Sequence, residues 1–182
     1  MTDSAASAKR VLCLCGSLRR VSANRAALEA ARGLAPSSLR LDLYSGMGAL
    51  PLFDPDVEGG PLPQPVRELR EAVGRADALL IACPEYAHGI PGAFKNLLDW
   101  LVGALEFPGK PALLLNASAR GSHHGQDALM EVLTTMSAQL LSSEPIPVRL
   151  PGAGCTVDAV LGSDDRRREI GMALGVLAAG LA

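Results

Sequence analysis

The sequence predicts an α/β fold in which a parallel sheet lies between two layers of helices. Three observations point there. Short apolar runs alternate with stretches of helical spacing along the chain; two runs, residues 11–15 and 78–82, are apolar throughout, as strands buried on both faces are; and the loops after the runs are rich in Gly and Pro. With 182 residues, 48% hydrophobic and 20% charged, the chain has the size and composition of one globular domain spanning residues 1–182.

Residues 1–8 are small and polar and are expected to be disordered, so the first strand is residues 11–15, closed by Gly16. Residues 26–34 carry helix-favouring Ala, Leu and Glu until Pro36 stops them. Leu39, Leu41 and Leu43 alternate with Arg40 and Asp42, the pattern of a strand nearer an edge. Residues 45–65, broken by Pro51, Gly59, Gly60 and Pro61, form a long loop expected over or beside a ligand. A helix over 66–75 leads to the third strand, 78–82. After Pro91-Gly92, apolar residues Phe94, Leu97, Leu98, Leu101, Val102 and Leu105 repeat at helical spacing. Residues 111–116 are the fourth strand. Residues 128–141 are helical, with Leu129, Val132, Leu133, Met136 and Leu140 on one face. The prolines of residues 145–150 suit an edge strand, and the acidic pair at Asp164 starts a last helix to about Ala179. Right-handed crossovers make this a three-layer sandwich.

Composition excludes several classes of function. A net charge of -2 leaves no basic footprint for nucleic acid. Cys13, Cys15, Cys83 and Cys155 make no disulfide framework, and Cys13 with Cys15 alternates onto one side of a strand without a second ligand pair, so no metal is expected. No apolar stretch reaches the roughly 18–20 residues of a membrane span, and the apolar run near the start is shorter than the roughly 7–15 residues of a signal peptide. A cytoplasmic protein without a membrane partner is expected.

Chemistry concentrates in three loops at the carboxyl ends of strands, where ligands sit in such sheets. In the first, Ser17, Ser22 and Asn24 supply short polar side chains at a helix start, with Ser22 a candidate cap, and Gly16 permits a tight turn. Arg19, Arg20 and Arg25 crowd the positive end of that helix, where cations are disfavoured unless an anion is bound. The other reading is that they project into water. Neither Gly-x-Gly-x-x-Gly nor Gly-x-x-x-x-Gly-Lys-Ser/Thr is present. The second loop, 84–92, is stiffened by Pro84 and Pro91. Its Tyr86 is either core filling or a ligand contact, and His88 is an acid, a ligand contact or a surface residue. The third, 117–125, carries Ser118, Gly121, His123 and His124.

Pro84-Glu85-Tyr86, Pro91-Gly92, Lys95-Asn96 and Asp99-Trp100, with residues 16–25 before them, resemble the signature and phosphate loop of the NADPH-dependent FMN reductase family. The match can be followed from about residue 9 to about residue 140. That resemblance implies a flavodoxin-like, five-stranded parallel sheet of order 2-1-3-4-5. It implies FMN as bound cofactor and NADPH or NADH as hydride donor. The FMN phosphate would be held by Ser17, Arg19, Ser22 and Asn24; the flavin ring would lie against Pro84, Glu85, Tyr86, Ala87 and His88; and Ser118 would touch the flavin edge. The chain departs from the family with Ala87 in place of Asn and Gly89 in place of Ser. The implied activity passes two electrons to a small acceptor such as a flavin, quinone or azo compound, and no residue is assigned a strictly catalytic role because hydride transfer to a flavin needs no protein acid or base. The alternative is a non-enzymatic flavodoxin-like carrier or regulatory module. The family also implies a homodimer or homotetramer through residues 85–100, with Lys95, Asp99 and Trp100 at the interface; the competing reading is a surface pair beside a core tryptophan.

Overall fold

A computed structural model describes residues 7–152 and 154–182. The expected disorder of residues 1–8 falls mostly outside the described residues; Ser7 and Ala8 lead directly into the first strand. In chain order the elements are β1 (Lys9–Cys15), α1 (Ala23–Leu34), β2 (Leu39–Leu43), a 3-10 turn (Met47–Ala49), α2 (Pro55–Glu58), α3 (Gln64–Gly74), β3 (Ala78–Ala82), α4 (Gly92–Val102), β4 (Pro111–Asn116), α5 (His123–Thr135), β5 (Gln139–Leu140), β6 (Ile146–Pro147), α6 (Val157–Leu161) and α7 (Asp164–Gly180).

The sheet is parallel throughout, in the order β2-β1-β3-β4-β5, with β6 also paired to β4. Alternation along β1 builds both cores. Val11 and Cys13 face the layer of α1, α6 and α7; Leu12 and Leu14 face the layer of α3, α4 and α5. The two central strands need apolar residues at every position for this reason, and β3 is buried from end to end. β2 lies at an edge, which explains its partly exposed alternation.

Several sequence expectations need correction. The fifth position of the sheet is shared by two short strands: β5 pairs with Pro111 and Ala112 at the start of β4, and β6 with Leu115 and Asn116 at its end. Residues 145–150 therefore contribute only Ile146 and Pro147 as strand, since neither Pro145 before it nor Pro147 within it has an N–H to donate to a ladder. α5 begins earlier and ends at Thr135, so Met136 and Leu140 do not continue its apolar face. α4 stops at Val102, capped by Gly103; Leu105 lies beyond it and is 93% exposed.

The long loop 45–65 folds into two short helical turns and straps across α4. Asn96 brackets it, its Oδ1 accepting from Phe53 N–H at 2.8 Å and its Nδ2 donating to the Pro51 carbonyl at 2.9 Å. Trp100 Nε1 donates to the same carbonyl at 2.8 Å, and its ring meets Phe53 edge-on at 5.0 Å. Trp100 is thus wholly buried in its own chain rather than presented to a partner, while Lys95 pairs with Asp99 along the helix.

Candidate flavin site

The three loops meet in an open cleft of about 630 Å³ at the carboxyl ends of β1, β3 and β4. That size lies within the roughly 300–1,000 Å³ of ligand pockets. It is lined by Ser17, Arg19, Ser22 and Asn24 from the first loop and by Pro84, Glu85, Tyr86 and His88 from the second. Ser118 lines it from the third. Ala87 does not: it is exposed at the tip of its loop. No residue of the strap 45–65 lines the cleft, but a Cβ at its Gly48 would lie 3.2 Å from Leu18 of the first loop, so of the two expected places, over or beside a ligand, the strap takes the second relative to the cleft.

The first loop is built for close approach rather than for an unusual turn. Gly16 N–H donates to the Ala82 carbonyl at 2.9 Å, and a Cβ at Gly16 would collide with Cys83 Sγ and come within 3.0 Å of its Cα. Only glycine lets the ends of β1 and β3 converge. Ser17 Oγ accepts from Arg19 N–H at 3.3 Å, folding the loop back toward the cleft. Ser22 occupies the N-cap position of α1 but makes no side-chain capping bond, so the first-turn N–H groups keep their positive end open. Ser22 and Asn24 are nonetheless buried, which is unusual for polar residues. The three arginines separate: Arg19 lines the cleft, Arg25 pairs with Glu29 at 2.8 Å, and Arg20 lies outside.

In the second loop, Tyr86 and Gly89 exchange both backbone hydrogen bonds at 3.0 Å, closing a tight turn. Its central residues, Ala87 (φ 50°) and His88 (φ 61°), are both left-handed without being glycine. The turn carries Tyr86 outward, about half exposed, at the cleft edge. Glu85 does the opposite, turning inward so that Oε2 accepts from Gly125 N–H at 2.7 Å and Oε1 stands 3.3 Å from His88 Nδ1. Beneath it, burial pushes the Cys83 thiol well up, with Cys15 adding to the shift, so this cysteine is inert packing.

The third loop winds on itself: Asn116 Oδ1 accepts from Ser118 N–H at 3.1 Å, and Ser122 Oγ donates to Ser118 Oγ at 2.7 Å. Residues to which sequence reasoning gave no role here are Arg120, His123 and His124, together with Pro151 and Gly152. The first three had a signal in their nearness to Ser118. Pro151 and Gly152 had none, since they arrive from beyond β6. Among the described residues no group of three or more His, Cys, Asp and Glu side chains is placed to hold a metal ion, and no helix is long and apolar enough to cross a membrane.

Residues 9–147 match the profile of the NADPH-dependent FMN reductases. The chain belongs to that family. As an FMN reductase it is an oxidoreductase that works with FMN and a reduced nicotinamide on small-molecule acceptors. It is 35% identical over 165 residues, 88% of each chain, to the NAD(P)H-dependent FMN reductase of Pseudomonas aeruginosa. It is 30% identical over 166 residues, 88% of this chain and 90% of the other, to the 2-hydroxy-1,4-benzoquinone reductase of a Burkholderia species. The fold matches that of a flavoenzyme NAD(P)H:(acceptor) oxidoreductase from Paracoccus denitrificans with a TM-score of 0.72 at 24% identity, covering 94% of this chain and 98% of that one. The reductase's own residues fit the cofactor. An uncapped helix start with Arg19 suits a phosphate at one end of the cleft, and the aromatic rim at Tyr86 suits a planar ring at the other.

Proposed function

We propose that this reductase, one domain over residues 1–182, binds FMN in the three-loop cleft and reduces quinone-type acceptors at the expense of NADPH or NADH. Ser17, Arg19, Ser22 and Asn24 hold the phosphate, and Arg19 does so with charge-assisted hydrogen bonds. Pro84, Glu85, Tyr86 and His88, with Ser118, flank the ring, while Ala87 acts through the backbone turn it shapes. FMN, when bound, supplies the redox chemistry, taking a hydride from the nicotinamide and passing two electrons to the acceptor. The protein's part is to fix the ring's depth and leave one side of the open cleft free for the nicotinamide and the acceptor in turn. The Burkholderia relative's action on a benzoquinone favours quinones over flavin or azo acceptors.

One observation carries the reading. The open end of α1, the buried Ser22 and Asn24, and the half-exposed Tyr86 all border a single cleft, a pairing of anion site and aromatic rim that a flavin mononucleotide needs. We place the protein in the cytoplasm, as a homodimer or homotetramer through residues 85–100, with Lys95 and Asp99 but not Trp100 available to a partner. The test is an absorbance titration with FMN followed by NADPH. The parent should take up FMN and bleach on adding NADPH, and Arg19→Ala should bind FMN at least about tenfold more weakly, as loss of a hydrogen bond to a charged group implies. Equal affinity in parent and variant would refute the phosphate assignment.

A further inference from the structure

The chain has three histidines, His88, His123 and His124, and all three line the same cleft although the first comes from the second loop and the other two open α5. They also touch. The His88 and His124 rings meet edge to face with centroids 4.6 Å apart and planes at 88°, and His124 lies 4.0 Å from His123. Three titratable rings stacked in one wall of a redox cleft are not required for packing, since the His88 side chain is 77% exposed.

His88 nevertheless has a carboxylate beside it. Glu85 stands 3.3 Å from its Nδ1, and Glu85 is fixed in turn by the Gly125 N–H on its other oxygen, with a side chain only 14% exposed. A carboxylate at that nitrogen favours a proton there and leaves Nε2 as the nitrogen that exchanges with its surroundings. The ring also sits on a left-handed backbone, φ 61°, a conformation of non-glycine residues that clusters at functional sites.

We propose that His88 is the general acid of the second half-reaction, giving a proton to a quinone-type acceptor as it is reduced, and that Glu85 is its positioning residue. The proposal rests on the reading that quinones are reduced in this cleft. Reducing a flavin by hydride calls for no added proton, but turning a quinone into a hydroquinone does, and a protein acid beside the acceptor delivers it faster than water. With reduced FMN bound, the acceptor would take a hydride, two electrons with one proton, at one carbonyl oxygen, while the other oxygen would take the proton of the His88 imidazolium. Both carbonyls become hydroxyls, the cofactor returns to its oxidised form, and the neutral imidazole regains a proton from water. The charged and titratable groups around His88 are Glu85, His124 and His123, with Arg120 and Arg19 in the same cleft.

The test compares 1,4-benzoquinone with ferricyanide, which accepts electrons without protons. In His88→Gly, comfortable at a positive φ, the ratio of quinone to ferricyanide turnover should fall roughly tenfold to a hundredfold, the lower part of the range for general acids because water reaches the site. Added imidazole should restore the ratio. His88→Asn, which also tolerates a left-handed backbone, should lower the ratio equally without being rescued. Nitrogen-15 NMR of the cofactor-free parent should find the neutral His88 ring protonated mainly on Nδ1, and Glu85→Gln should shift that balance toward Nε2. An unchanged ratio, or a ratio that imidazole leaves low, overturns the acid assignment. A His88 tautomer indifferent to Glu85→Gln overturns the positioning role. Failure of the parent to bleach with NADPH would instead refute the reading beneath both.

Discussion

Glu85 and Gly125, forty positions apart, are in contact along their whole length: the carboxylate accepts the Gly125 N–H at 2.7 Å, and a Cβ added to Gly125 would lie 3.0 Å from both Cβ and Cγ of Glu85. This contact joins the second loop of the cleft to the first turn of α5. Gln126 reinforces it, its Nε2 donating to the Cys83 carbonyl at 3.0 Å. These contacts tie the second loop and the start of α5 into one wall, and the glycine is there for close approach rather than for its backbone freedom.

Gly125→Ala tests that claim. In an ordinary helix the change would add about 0.5–1 kcal/mol of stability. Here the new methyl meets the stem of Glu85, which cannot swing away without losing the N–H bond. The variant should be no more stable than the parent by urea denaturation, and should bind FMN about fivefold more weakly, the equivalent of about 1 kcal/mol. A stabilised variant with parental FMN affinity would show that the wall is not rigid.

Ala87 offers the opposite experiment. Its φ of 50° places an unbranched but non-glycine residue in a left-handed turn that Asn or Gly occupies at lower cost, by about 1–2 kcal/mol for glycine. Ala87→Asn should therefore raise the melting temperature by about 2–4 °C, the shift that about 1 kcal/mol makes in a protein of this size. Because Ala87 does not line the cleft, the gain should come from the turn alone. Calorimetry showing no gain, or a loss, would mean that the turn relaxes in solution.

Much of this fold could be read from residue order because its central strands are apolar at every position, and β3 and β4 run over the predicted residues 78–82 and 111–116. The signals failed where tertiary contacts override local pattern. Leu105 has helical spacing with Leu101, yet Gly103 ends the helix first and leaves it in solvent. The strap 45–65 is placed by Asn96 and Trp100, partners more than forty residues away, so its own composition carried no sign of where it would lie. The three loops of the cleft were legible because Gly, Pro and short polar residues follow each strand. The meeting of His88 with His124 was not, since it depends on how the second loop lies against the start of α5.

The thiol of Cys13 gives the protein a predictable weakness in alkali. It is wholly buried, and burial pushes its pKa up to about 12, with Asp42 adding to the shift and Arg32 opposing it. Below about pH 8.5 the thiol is neutral in both folded and unfolded chains and contributes no pH dependence. Above that, the unfolded chain loses its proton first, so stability falls by about 1.4 kcal/mol per pH unit until the folded thiol also ionises. Cys15 and Cys83 shift the same way, Tyr44 joins them above about pH 10, and Lys110, shifted down by burial, works against them. Cys13→Ala should cost about 1 kcal/mol at pH 7 through the small cavity it leaves. Its urea midpoint should meet that of the parent a little above about pH 9 and exceed it beyond. Parallel curves across that range would mean that Cys13 does not titrate as a buried thiol.

Asn96 fastens the strap with two hydrogen bonds, accepting from Phe53 and donating to Pro51. Asn96→Ala removes both bonds and leaves the Phe53 N–H without its partner. At about 0.5–1.5 kcal/mol for each bond the loss should total about 1–3 kcal/mol. Trp100 would still hold the Pro51 carbonyl, so the strap should loosen rather than detach. Hydrogen exchange should then quicken at Phe53 and its neighbours while β1 and β3 keep their protection. Since the strap does not line the cleft, the affinity for FMN should stay within about twofold of the parent, a difference of about 0.4 kcal/mol. A large loss of FMN affinity in this variant would mean that the strap reaches the ligand after all, by a movement that couples α4 to the second loop.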